Sequence, residues 1–483
     1  MTGADRPNLL LFMPDQLRAD AIGPLGAPEG RTPVLDGLAR RGVTFTNAYA
    51  QHSVCGPSRV SMFTGWYPHV HGHRTLDNLI KAWEPNVFRQ LREAGWYVAQ
   101  AGPRGDMAAP GVTSASFDWH GLTVRPEHRV PAATWDGSAL ADAFYAGVRA
   151  GEPTVDYDEA AVRTAEELLG GGLPEPWVLF VPLIFPHPPW TVEEPWFSMH
   201  DRSAMTDPVT ADLSTKPRFM GAIRSTYGLD RLAPADWAEI RAVYAGMVSR
   251  VDWQLGRLLD AVEASGAAGR TVVVHFTDHG EYLGDFGLIE KWPAGLDDCL
   301  VRNPLVIAGP GCEEGGRCEA LVEMVDLTPT LLELAGLSPG YTQFGRSLTK
   351  VLADPSATHR SAAFSEGGHR VDEDHVIERA PRPYHLKAKV QQDDPSTLGK
   401  AVAMRTEEWT YVMRVHDTDE LYHRPSDPAE TTNLVSDPAR QPVLRRLERQ
   451  VLEWLADTAD VVPWTPDPRF PGPDELWLSW ERP

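Results

Sequence analysis

Asn8-Leu9-Leu10-Leu11-Phe12-Met13-Pro14-Asp15 is the stretch on which the fold turns. Six residues without a charge, too few for a helix and stopped by a proline, read as a strand buried on both faces. Such a strand belongs inside a sheet with helices packed on either side. The same grammar recurs downstream. Trp177 to Phe185 is apolar and runs into Pro186-His187-Pro188-Pro189; Thr271 to Thr277 runs into Asp278-His279-Gly280; Asn303 to Ala308 is a further strand. Helical patterns lie between them. Thr32-Pro33 opens one that stops near Gly42, Asn86 to Ala94 ends at Gly95 before a strand at Trp96 to Ala101, and Pro234 opens a long amphipathic run to about Ser265. Asp326-Leu327-Thr328-Pro329 caps another, ending at Gly336. Strands alternating with helices predict an α/β fold with a helix-covered sheet. In such sheets functional groups collect outside the carboxyl ends of the strands. Asp15, His187, Asp278 and His279 each fall there by a separate reading.

Beyond about residue 345 the pattern changes. Gly367 to Leu398 is polar and proline-rich and is expected to be a loop; Ala401 to Arg405 and Trp409 to Val415 read as paired strands, and Pro442 to Asp457 as a helix. The expected division is a large α/β domain over 1–345 and a smaller C-terminal α+β part over 346–483, with a short antiparallel sheet, a helix and an extended tail. The tail, Phe470 to Pro483, carries Trp477 and Trp480 among prolines and acids. It cannot form a core of its own and is expected to dock on this subunit or on a neighbour in a homo-oligomer.

The 483 residues carry a net charge of −22, with 45 Lys and Arg against 67 Asp and Glu. That balance argues against nucleic acid and anionic membranes as partners. A site for a small anion would then need its own local cations. Hydrophobic residues at 42% and charged residues at 23% are ordinary for a globular protein. Four cysteines (Cys55, Cys299, Cys312 and Cys318) are no disulfide framework in a chain of this length, although Cys312 and Cys318 stand close enough in sequence to pair. The first residues lack the apolar core of a signal peptide, and no run approaches the ~20 apolar residues of a membrane span. The expected compartment is the cytoplasm.

Cys55-Gly56-Pro57-Ser58-Arg59 is the richest segment for chemistry. Cys55 is expected in a loop, with Pro57 opening a short helix that stops at Gly65. Alone, such a cysteine can be a small buried hydrophobe or a thiolate nucleophile. The pentapeptide, however, resembles the type I sulfatase signature, in which the cysteine is oxidised to formylglycine. The flanks Phe45-Thr46-Asn47-Ala48-Tyr49, Ser61-Met62-Phe63-Thr64-Gly65 and Tyr67-Pro68-His69 fit as well. The resemblance extends from Asn8 to Leu434. It implies an alkaline phosphatase-like fold with a large central, mixed but mostly parallel sheet.

It also implies a mechanism. The hydrated aldehyde carries two hydroxyls on one carbon; one attacks sulfur or phosphorus, and the other later expels the bound anion, so that one hard step becomes two. Arg59 would hold one hydroxyl or the anion. Asp15, Asp278, His279 and an oxygen on residue 55 would bind one divalent cation, calcium first, with manganese or magnesium as alternatives. Lys291, within Leu288-Ile289-Glu290-Lys291-Trp292, occupies the family's anion-binding position, and His187 matches the histidine that contacts the transferred group and can protonate the leaving oxygen. Asn78 matches a substrate-contacting asparagine, or is a surface residue. Thr418-Asp419-Glu420-Leu421-Tyr422 and Asp427 to Leu434 resemble the family's structural C-terminal signature.

Two departures bear on the substrate. Most members carry a pair of aspartates after the first strand, where this chain has Pro14-Asp15, and most carry Gly-Lys-x-His where this chain has Gly102-Pro103-Arg104-Gly105-Asp106. Arg104 can supply a charge for substrate binding. The phosphonate monoester hydrolase branch shows the same departures. The implied activity is therefore hydrolysis of a small anionic sulfate ester after maturation by a formylglycine-generating enzyme. The alternatives are phosphonate monoester or phosphodiester hydrolysis at the same site, and a non-catalytic binding protein on this scaffold.

Overall fold

The computed structural model describes residues 6–27, 30–102, 105–126, 138–149 and 155–465. Arg104, with Pro103, and the tail from Phe470 lie outside the described residues. In chain order the strands are β1 (Asn8–Met13), β2 (Gly42–Tyr49), β3 (Tyr97–Ala101), β4 (Trp119–Gly121), β5 (Tyr145–Val148), β6 (Trp177–Pro182), β7 (Trp190–Val192), β8 (Thr271–Phe276), β9 (Arg302–Ala308), β10 (Gly316–Glu323), β11 (Ala363–Gly367), β12 (Ala401–Arg405), β13 (Trp409–Arg414) and β14 (Glu420–His423).

Eight of them form one sheet in the order β10-β2-β9-β8-β1-β6-β3-β4. Only β9 runs against the rest, antiparallel to both β8 and β2, so the sheet is mixed but mostly parallel. β1 lies at its centre between β6 and β8, which explains the unbroken apolar run. Its residues alternate between two cores. Leu10 and Phe12 join Met247, Val251 and Leu255 of the long helix Pro234–Ala264 on one face. Leu9, Leu11 and Met13 join Val60, Met62 and Phe63 of the helix Cys55–Thr64 on the other. Both faces are thus dry, and the layered α/β expectation holds.

Two local expectations need correction. The helix after Val54 begins at Cys55 itself, not at Pro57. A proline in the first helical turn gives up an N–H that has no intrahelical partner there, so the helix can start two residues earlier. Residues 367–398 are not all loop: His385–Asp393 form a helix. Its buried face includes Lys387 and Gln391 as well as Ala388 and Val390, so its inward side looks solvated in sequence.

C-terminal strands β11–β14 form a four-stranded antiparallel sheet, covered by the helix Gln441–Asp457 through Leu447, Val451 and Trp454. All four cysteines, Cys312 and Cys318 included, are outside any disulfide. Among the described residues no helix is long and apolar enough to cross a membrane.

Candidate active site

β1 and β8 are parallel neighbours in register, Phe12 opposite His275. They therefore end level, and the residues that leave them, Asp15 and Asp278-His279, emerge side by side. β2 runs in the same direction and delivers the chain through Tyr49 to Cys55, the first residue of its helix. Cys55 Sγ lies 3.2 Å from His279 Nε2 and 3.8 Å from Asp15 Oδ1. One ligand atom from each of Asp15, Cys55, Asp278 and His279 falls within 4.8 Å of the others, and all four residues are buried.

Several contacts hold this geometry. Arg59, one helical turn after Cys55, donates from Nε to Asp278 Oδ2 (2.9 Å) and from Nη2 to Asp15 Oδ2 (2.7 Å). The Asp278 Oδ1 atom accepts from the backbone N–H groups of His279 (2.9 Å) and Gln16 (3.1 Å), and Ser58 Oγ donates to the Asp278 carbonyl at 2.6 Å. Gly280 must be glycine: a Cβ there would stand 2.0 Å from the Cys299 carbonyl oxygen. His279 Nδ1 is 2.9 Å from the Gly280 carbonyl, which can only accept, so Nδ1 carries the hydrogen and the Nε2 lone pair faces the cluster. Burial pushes the His279 pKa down to about 4, against the opposing pull of Asp278.

Two buried carboxylates share one guanidinium here, which leaves the pocket short of positive charge. Two carboxylate oxygens, a neutral imidazole nitrogen and residue 55 make a donor set that fits a divalent cation.

A second group of side chains adjoins the first. Lys291 Nζ donates to Gln16 Oε1 (2.6 Å) and to Glu290 Oε1 (2.5 Å). Gln16, in the left-handed region at φ 64°, passes the connection on by donating from Nε2 to Glu281. Glu281 also accepts the backbone N–H groups of Leu283 and Glu290. Lys387, on the helix His385–Asp393, reaches the other oxygen of Glu290 at 3.3 Å. Burial, then the charge of Glu290, pushes the Glu281 carboxyl up to about 7. Burial acts on Glu290 in the same sense, but Lys291 and Lys387 outweigh it and hold that carboxyl down to about 2. Glu290 is thus the anion of the group. Burial alone would lower the Lys291 ammonium, but Glu290, Cys55, Tyr384 and Asp15 outweigh it and hold the pKa well above the ordinary lysine value.

His187 stands half-buried on the turn that follows β6. The turn is stitched to the cluster, because the Phe185 carbonyl accepts the Asp15 N–H at 3.2 Å. His187 Nδ1 lies 2.8 Å from the Pro188 carbonyl, and its Nε2 lies 3.4 Å from the Tyr384 hydroxyl. Asn78 lies on a loop that passes Gly56, where a Cβ would meet Leu76 and Leu79 at 3.4 Å. Its side-chain amide donates locally to the Gly72 carbonyl. The structure therefore gathers Asp15, Cys55, Arg59, Asp278 and His279 into one contact group, with Lys291 joined through Gln16, and sets His187 and Asn78 on neighbouring loops. Sequence reading missed Gln16, Glu281, Glu290, Tyr384 and Lys387. The adjacency of Gln16 to Asp15, of Glu281 to Asp278-His279-Gly280 and of Glu290 to Lys291 was a usable signal; nothing local marked Tyr384 and Lys387.

Comparison with known proteins gives the family and the fold. The family model described as Sulfatase matches residues 7–337. A sulfatase of Formosa agariphila is 29% identical over 405 residues, 77% of this chain and 78% of that protein. A multifunctional alkaline phosphatase superfamily protein of Trinickia caryophylli is 28% identical over 94% of this chain and 96% of its own length. Among solved structures, the phosphonate monoester hydrolase of Agrobacterium radiobacter superposes with a TM-score of 0.73 at 25% identity, covering 95% of this chain and 100% of that one.

Proposed function

The chain belongs to the sulfatase family, enzymes that hydrolyse sulfate esters, and on that premise we propose that it cleaves a small anionic sulfate ester with a formylglycine nucleophile made from Cys55. The observation that carries this reading is the buried 4.8 Å convergence of Asp15, Asp278, His279 and residue 55. Cys55 Sγ stands in for the oxygen that the matured residue would present there. A divalent cation, calcium before manganese or magnesium, would be held by those four residues, where it would supply positive charge for the substrate's oxygens and lower the pKa of the attacking hydroxyl.

The chain's own side chains do the rest. Arg59 keeps both carboxylates in register. Lys291 presents its ammonium to an anionic oxygen of the substrate, and the Glu290 carboxylate guarantees that it is charged. His187 donates a proton from Nε2 to the leaving oxygen, Nδ1 being committed to Pro188. Asn78 would contact substrate by releasing the Gly72 carbonyl, and Arg104 would supply a charge for substrate binding. The catalytic unit is assigned to 1–345, the compartment to the cytoplasm, and maturation to a formylglycine-generating enzyme.

A second reading, hydrolysis of phosphonate monoesters or phosphodiesters, is favoured by the single aspartate after β1, the absent Lys/His pair after β3 and the end-to-end match to a phosphonate monoester hydrolase. Pro103 and Gly105 are smaller than the lysine and histidine that most members carry there, which suits a substrate with a second organic group. The test has two parts. Mass spectrometry of the peptide bearing residue 55 should show aldehyde in place of thiol, and Cys55→Ala should abolish turnover. On matured protein, kcat/KM is then measured for matched aryl sulfate, phosphodiester and phosphonate substrates. A preference for phosphorus of about tenfold, ~1.4 kcal/mol of transition-state discrimination, installs the second reading.

A further inference from the structure

We propose that Tyr384, from the C-terminal part of the chain, is a positioning residue for His187, fixing the ring orientation from which protonated Nε2 gives its proton to the leaving oxygen and meeting the lone pair that the transfer leaves behind. This rests on the assignment of His187 above as the acid. The geometry is specific. The Pro188 carbonyl 2.8 Å from Nδ1 cannot donate, so Nδ1 bears hydrogen and neutral His187 offers a lone pair at Nε2. The group that meets that lone pair is the Tyr384 hydroxyl, at 3.4 Å. With both ring nitrogens engaged, the imidazole cannot flip without losing two contacts.

The tyrosine is itself braced. Its ring lies 5.3 Å from that of Phe144, centroid to centroid. Phe144 is fully buried and holds φ 64°, a conformation that bulky side chains avoid unless their surroundings impose it. Trp190 imposes it, donating from its indole to the Ala143 carbonyl (2.9 Å) and from its backbone to the Phe144 carbonyl (2.8 Å).

The proton balance is simple. As the bond to the leaving oxygen breaks, the proton on Nε2 of the imidazolium passes to that oxygen. The neutral ring then accepts the Tyr384 O–H, the phenol keeps its proton, and water reloads the imidazole.

The test is Tyr384→Phe on matured protein, which keeps the ring against Phe144 and removes only the hydroxyl. A series of sulfate esters from 4-nitrophenyl to simple alkyl leaving groups is compared. The expected loss in kcat/KM is about tenfold for alkyl esters and under about threefold for 4-nitrophenyl sulfate, because only poor leaving groups need the proton. In a His187→Ala background the same substitution should add nothing. A loss that is equal across the series, or additive with His187→Ala, overturns the proposal. A His187→Ala series that is itself flat overturns the acid assignment of His187, and this proposal with it, while leaving the nucleophile and metal assignments standing. If the enzyme prefers phosphorus, the graded series is run with phosphonate esters and the same outcomes decide.

Discussion

Two regions of the molecule serve one site by different means. Asp15, Asp278-His279 and Cys55 leave strands that run in one direction, β1, β8 and β2, and their positions follow from the topology of the sheet. They are buried and locked by backbone N–H groups and by Arg59. Tyr384 and Lys387 come instead from a short helical segment inserted between β11 and β12 of the C-terminal sheet, and each reaches a side chain of the site. The first region builds reactivity. The second adjusts it, because its contacts fall on His187 and Glu290, one step removed from the cluster. Loss of the first should therefore remove activity uniformly, and loss of the second should change it selectively.

His279→Ala is the strongest way to press that contrast. The imidazole presents Nε2 to the cluster, 3.2 Å from Cys55 Sγ, while Nδ1 is held by the Gly280 carbonyl. Metal content measured by elemental analysis should fall with activity, and kcat/KM should drop on the order of 10³-fold for every ester alike. Full metal occupancy with normal turnover would strike His279 from the ligand set. A loss graded with the leaving group would erase the distinction between the two regions.

The first region was legible in sequence and the second was not. β1, β6 and β8 are apolar on both faces, so each showed as a continuous run that stops at a polar residue, and those stops are the site. β2 was harder, because its register shifts between Phe45 and Ala48 and the inward pattern breaks there. The C-x-P-S-R segment carried enough chemistry to identify the family, while its helix began earlier than Pro57 suggested. Gln16 has no chemical signature; its role comes from a left-handed backbone that turns its amide between Lys291 and Glu281. Tyr384 and Lys387 sit in a stretch of prolines and charges whose buried positions include polar residues, which is the pattern of a solvated loop.

Lys387→Met should have a smaller and different effect. Methionine keeps the packed stem and removes the charge that Lys387 shares with Glu290. Lys291 would then neutralise Glu290 alone and bind an anionic substrate less strongly. KM should rise by at most about tenfold, ~1.4 kcal/mol, with kcat little changed, the mark of lost uniform binding. A fall in kcat with KM intact would place Lys387 with the reacting groups and move it into the first region.

The smallest expected effect concerns the support beneath His187. Asp158 accepts the backbone N–H groups of Ile184 (2.7 Å) and Phe185 (2.8 Å), and so anchors the turn that carries His187 and meets Asp15. Burial first, and then the like charge of Asp156, push its carboxyl up to about 6, against Arg250 and the two amides. The folded protein therefore binds this proton more tightly than the unfolded chain. The stabilisation is complete below the ordinary carboxylate value of 3.8, is lost as pH rises from there to about 6, and stays lost above. Asp158→Asn removes the titration and keeps the side-chain shape. Measured by thermal unfolding, wild type should be the more favoured relative to the variant at pH 4 than at pH 7, by a change of about 2 °C in their Tm difference. A Tm difference that does not vary with pH would show that Asp158 binds its proton equally in the folded and unfolded states. The turn under His187 would then be held with the same strength at every pH in that window, as firmly fixed as the strand ends it adjoins.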